Sequence, residues 1–129
     1  MDRNTRIVLL LIIGVIAITG MAIYKKNREA KEKEIAIALA CASNQRVMLG
    51  AVEMYNMDHS DMMQELNINE LLKPYKSKYS KQSFPYLKSD PSNNKFGCEY
   101  TSQGDLTRDG NIICKKHGTV EEIMKKYRR

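Results

Sequence analysis

The chain has 129 residues, Lys+Arg 21 against Asp+Glu 15, three cysteines and no tryptophan. An uncharged, proline-free run over residues 7–24 leaves roughly 90 residues outside it, enough for a small domain whose thin core needs a disulfide, a metal or neighbouring chains as further support. The basic excess is interleaved with acid and comes with no RNA- or DNA-binding motif, so no nucleic acid is expected; with no glycine-rich phosphate loop or paired-carboxylate motif, the chain reads as a non-enzyme without cofactor.

Residues 1–6 form a short N-terminal segment before the apolar run. The 18 residues of the run, Ile7–Tyr24, reach about 27 Å as a helix, close to a hydrocarbon core of about 30 Å. A cleavable signal has a shorter apolar region followed by a small-residue cleavage site; Ile23, Tyr24, Lys25 and Lys26 offer none, so residues 7–24 are read as an uncleaved transmembrane half-helix. Beyond it Lys25/Glu29 and Glu29/Lys33 stand four apart, which supports an exposed helix face. Residues 25–59 continue the helix with no proline and one glycine, Gly50. Ile37, Cys41, Met48, Val52 and Tyr55 fall three, four or seven apart and make one apolar stripe. The pattern predicts a helix from about Asn4 to about His59, roughly 80 Å long.

Residues 60–129 are read as a small αβ head. A short helix is expected from about Asn69, burying Leu71 and Leu72 and closed by Pro74. Residues 80–97, rich in Ser, Asn, Pro and Gly, read as loop. A β-hairpin follows, with arms Cys98–Thr101 and Asn111–Cys114 and turn chemistry from Gly104 and Asp109–Gly110. Thr119 and Glu122 make a capping box for a final helix that buries Ile123. The fold class is α+β: a long N-terminal helix packed on a small hairpin or sheet head.

Cys98 and Cys114 lie symmetrically about the hairpin turn. A disulfide between them would close a loop of about 15 residues and stabilise the fold by about 3 kcal/mol through loop-closure entropy. Cys41 is then left over on the stripe as a small buried hydrophobe beside Met48, Val52 and Tyr55, or as a partner for either of the others. Cys98, Cys114 and His117, with Cys41 or His59, could in principle supply four zinc ligands. The usual close cysteine pair is missing and only Cys114-x-x-His117 is close, so the disulfide is preferred and no metal is expected. His117 before Gly118 is read as shaping the turn, and Asp105, Asp109 and Asn111 as turn residues without the spacing of a calcium loop.

Two further stretches, the apolar run containing Ile12-Ile13-Gly14 and the helix "ACASNQRVMLGAVEMYNMDH" with Cys41, Asn44, Gln45, Arg46, Ala51, Glu53 and Tyr55, together resemble the bacterial type IV pilins and the pseudopilins of type II secretion. The segment "CEYTSQGDLTRDGNIICKKHGTVEE" is similar to the C-terminal part of one pilin-like group, where a second cysteine precedes His-Gly. The resemblance implies a long helix that serves as membrane anchor and as filament packing surface, with Gly14 and Gly20 allowing close helix approach. The family's mature helix carries a glutamate near its start; aligning on Ile12-Ile13-Gly14 puts Thr5 there and Met1 at the first mature position. The expected function is therefore a structural subunit of a type IV pilus or type II secretion-type system, in a filament or homo-oligomer with other pilin-like subunits or the secretion machinery. The alternative is a bitopic accessory or binding protein with a pilin-like head that does not polymerise. The cysteines put the head outside the cytoplasm on a single-pass inner-membrane anchor. Arg3 and Arg6, outnumbered by Lys25, Lys26, Arg28, Lys31 and Lys33, favour instead a cytoplasmic head, and a third reading gives that head reduced cysteines that bind metal.

Overall fold

The computed structural model describes residues 2–76, 82–92 and 95–127. Its elements are α1 (Arg3–Asp58), α2 (Ile68–Leu71), β1 (Tyr75–Lys76), β2 (Ser83–Phe84), β3 (Tyr100–Gln103), β4 (Asn111–Cys114) and α3 (Val120–Tyr127). The fold is α+β, with a long N-terminal helix and two small antiparallel sheets. The chain divides into two compact units, Met1–Ala36 and Ile37–Arg129, and α1 contributes to both.

In the first unit every described residue from Asp2 to Glu34 is exposed, the apolar ones included. This part of α1 is long and apolar enough to cross a membrane. The hydroxyl of Thr19 donates back to the carbonyls of Val15 and Ile16, each at 3.0 Å, so the polar atom in the run is satisfied within the helix, as a hydrocarbon surrounding requires. Past the run, Arg28 and Glu32 form an exposed i,i+4 pair at 2.8 Å.

In the second unit α1 turns a stripe inward. Ala38, Cys41, Ala42, Gln45, Met48, Ala51, Val52 and Tyr55 are buried, at the three- and four-residue spacings that put side chains on one helix face. Leu71, Ile112 and Ile123, all fully buried, join Met48 and Val52 in the same core cluster. The chain leaving α1 is pinned back by Asn56, whose carboxamide accepts from Met63 N (2.6 Å) and donates to Met63 O (3.4 Å). Asn67 then caps α2 by accepting from Glu70 N.

Part of the stretch expected as loop is strand. Ser83–Phe84 pair antiparallel with Tyr75–Lys76, and Leu87 N bonds to Leu71 O at 3.0 Å. The hairpin is present with a shifted arm. Tyr100 lies opposite Cys114 and Gln103 opposite Asn111, so Cys98 falls two residues before the paired region. The ladder stops there because the opposite chain turns back on itself: Cys114 and Gly118 exchange backbone hydrogen bonds, 3.1 and 2.8 Å. Gly118 takes φ +83° at this turn, a conformation open to glycine at little cost. The last helix has the expected box, Thr119 N to Glu122 Oε2 at 2.8 Å and Glu122 N to Thr119 Oγ1 at 3.2 Å.

At the hairpin tip, Asp105 is a turn residue. Its Oδ1 accepts from the amide and hydroxyl of Thr107 (2.9 and 2.7 Å), and these bonds hold its carboxyl below the usual range. Gly110 N bonds to Asp105 O at 2.8 Å, so close that a Cβ on Gly110 would collide with the Asp105 and Leu106 backbone. Gly110→Ala is expected to cost about 1–3 kcal/mol by overpacking. Gly50→Ala, inside α1 with nothing within 4 Å of the added carbon, is expected to gain about 0.5–1 kcal/mol. Urea midpoints of the two full-length variants in detergent micelles check both signs.

Candidate metal centre

Four side chains from four places in the second unit converge. α1 supplies Cys41, the approach to β3 supplies Cys98, the end of β4 supplies Cys114, and the turn closed by Gly118 supplies His117. One ligand atom from each lies within 4.8 Å of the other three. Nδ1 of His117 is 3.6 Å from Sγ of Cys98 and 3.6 Å from Sγ of Cys114. The three sulfurs also face one another. Cys41, Cys98 and Cys114 are 1%, 3% and 1% exposed, and His117 is half-buried.

No disulfide joins Cys98 to Cys114 in the structure, contrary to the expectation from the hairpin; both sulfurs lie instead against Nδ1 of His117. The register explains the difference. Tyr100, not Cys98, is directly opposite Cys114; Cys98 is the diagonal neighbour on the same face, and Cys41 and His117 fill the remaining sides. His59, the other candidate fourth ligand, is elsewhere: its ring stacks on Tyr55 with centroids 4.0 Å apart and planes at 9°, and its Nδ1 is 3.1 Å from Tyr55 O.

Around the sulfurs lies a set of donors. Tyr100 bonds to Cys41 while its oxygen accepts from Asn44 Nδ2 at 3.1 Å. Burial pushes the Tyr100 phenol up, which keeps it a neutral O–H donor at ordinary pH. Gln45, 1% exposed, directs Nε2 to Cys41 Sγ (3.7 Å) and to Gly118 O (3.0 Å), tying α1 to the turn that carries His117. Its Oε1 is buried with no partner among the described residues. Outside the turn, Lys115 is held by Glu99, with Nζ to Oε2 at 2.8 Å and N to Glu99 O at 2.9 Å.

Burial pushes the Cys41 thiol up to about 12 and raises Cys98 as well. Cys114 goes the other way. Burial opposes its thiolate, but the backbone N–H of His117, the Cys41 side chain and the backbone N–H of Lys116 together hold it below the ordinary thiol range. A sulfur that receives two backbone N–H groups within its own turn is prepared to carry negative charge.

The three sulfurs belong to residues sealed from solvent. Three thiols and an imidazole are also the donor set of closed four-coordinate sites. Sequence reasoning used Asn44 and Gln45 only for the family resemblance and gave neither them nor Tyr100 a role at the sulfurs. The available signal was Gln45, an amide four residues after Cys41 on an otherwise apolar stripe.

The residues expected to pack helices, Thr5, Gly14 and Gly20, are exposed on the first unit. Cys41, Met48, Val52 and Tyr55 lie in the core of the second. No family model matches the chain, and no curated protein or solved structure shows significant similarity to it.

Proposed function

We propose that the chain is a membrane-anchored structural protein of pilin-like organisation, acting by packing rather than catalysis. One observation carries the reading: α1 is apolar and exposed over residues 7–24, and the same helix supplies the buried stripe at the core of the second unit. Such a helix serves as anchor and scaffold together. Gly14 and Gly20 lie on the exposed, apolar part of α1, where the missing side chains allow close helix approach in lipid or in a filament. The partners are other pilin-like subunits or the secretion or pilus machinery that assembles them, and residues 37–129 stand outside the cytoplasm.

A second reading is favoured by the charges flanking the span: Arg3 and Arg6 are outnumbered by Lys25, Lys26, Arg28, Lys31 and Lys33, which suits a cytoplasm-facing domain on the same anchor. Protease added to right-side-out vesicles separates the two. Digestion of the C-terminal unit in intact vesicles is expected; protection until the membrane is opened would establish the cytoplasmic reading instead. Shearing the source cells then tests assembly. Release with filaments is the pilin-like result, and quantitative retention in the membrane marks a non-polymerising accessory protein.

A further inference from the structure

We infer that Cys41, Cys98, Cys114 and His117 form a closed structural site for one zinc ion. A tetrahedral zinc with Zn–S about 2.3 Å and Zn–N about 2.05 Å requires S···N separations of about 3.6 Å. Both His117 separations are 3.6 Å, and all four ligand atoms fall within 4.8 Å of one another. An ion can therefore enter with only small movements of the sulfurs. Three thiolates and an imidazole are soft to borderline donors and complete a tetrahedron, which favours zinc over magnesium or calcium, whose sites are built of oxygen.

The turn supports the same assignment. Cys114-Lys115-Lys116-His117-Gly118 doubles back on the Cys114–Gly118 backbone pair, so two ligands three residues apart point the same way while the amides of Lys116 and His117 bond to Cys114 Sγ. Binding converts three thiols and a neutral imidazole to a zinc tris-thiolate imidazole centre and releases three protons to solvent. The centre has a net charge of −1. That charge is met by N–H and O–H donors already aimed at the sulfurs: the Lys116 and His117 amides at Cys114, and Gln45 Nε2 and the Tyr100 hydroxyl at Cys41. Donors around a metal centre orient its ligands and tune affinity, so Tyr100 and Gln45 are positioning residues. The ion would join α1 to both arms of the hairpin.

The inference is independent of which side of the membrane the second unit faces, because the readout is metal bound to the purified chain. Full-length protein is extracted in detergent under reducing conditions without added metal. Elemental analysis is expected to find one zinc per chain. After exchange, cobalt(II) is expected to give the strong visible d–d bands of a tetrahedral site and near-ultraviolet sulfur-to-cobalt charge transfer at the intensity of three thiolates. Cys-to-Ser variants can fail to fold, so the wild-type spectrum is decisive, and Tyr100→Phe supplies a mild variant. It is expected to bind zinc with unchanged stoichiometry and about 10–100-fold lower affinity. A Cys98–Cys114 disulfide in the isolated protein whose reduction gives no zinc uptake would overturn the site. A cobalt spectrum with fewer than three thiolates, or an octahedral one, would do the same.

Discussion

Chelation of zinc from the full-length chain in micelles is expected to abolish the cooperative unfolding transition of residues 37–129 while leaving the apolar part of α1 helical. Apart from α1, the elements of the second unit are too short to stand alone. α2 has 4 residues and α3 has 8, against the dozen or more that an isolated helix needs. The strands have two to four residues in sheets of two, which are marginal by themselves. Zinc bound by a small folded site contributes apparent free energies of about 10–16 kcal/mol at neutral pH, as large as the whole stability of a typical domain, about 5–15 kcal/mol. Tyrosine near-ultraviolet circular dichroism follows this unit directly, because Tyr55, Tyr75 and Tyr86 form a buried or half-buried aromatic group with His59. The signal is expected to collapse on chelation and return when zinc is restored. Acid acts in the same direction, since protons compete with zinc for the thiolates. A transition indifferent to chelator but removed by a reductant would assign the support to a disulfide, so the two treatments separate the alternatives in one sample.

How far these features could be read from the sequence depended on whether they were local. The span of α1 was legible because its signals repeat along the chain: an uncharged run, then a stripe from Ile37 to Tyr55. The capping box was legible because Thr119 and Glu122 are three apart and their bonds are made within one turn. The pair formed by Tyr75–Lys76 and Ser83–Phe84 was not, since two residues per strand carry no period. Cys41, Cys98, Cys114 and His117 were legible as one possible zinc set but ranked below a disulfide, for a related reason. A spacing rule looks for two close cysteines, whereas here Cys41 and Cys98 are brought to Cys114 by helix packing and by a hairpin register offset by two. Only Cys114-x-x-His117-Gly118 left a local trace, and a turn explained it equally well until the positions of Cys41 and Cys98 were known.

Ile123→Ala is expected to lower the stability of the second unit by about 2–5 kcal/mol, the cost of truncating a fully buried aliphatic side chain. The position has few means of compensation. Ile123 is the buried residue of α3, with Val120 and Tyr127 only partly buried against the same core. The two preceding residues, Glu121 and Glu122, are exposed. Once the side chain is cut back, the partly buried Val120 and Tyr127 remain against the core, while the capping box and the bond from Ile123 N to Thr119 O (3.0 Å) keep only the start of the helix formed. A cap contributes about 1 kcal/mol, less than the burial removed, so α3 should detach in part rather than settle into the cavity. The effect should also remain local. His117 is fixed by the Cys114–Gly118 pair and by Gln45, both of which precede the helix, so zinc stoichiometry is expected to stay at one per chain while the urea midpoint of the zinc-loaded protein falls. Glu121→Ala, on the exposed face, serves as the control and should shift the midpoint by no more than about 0.5 kcal/mol. A loss below that limit for Ile123→Ala would mean that α3 is not part of the core. A simultaneous loss of zinc would mean that the turn carrying His117 depends on the helix as well as on Gln45.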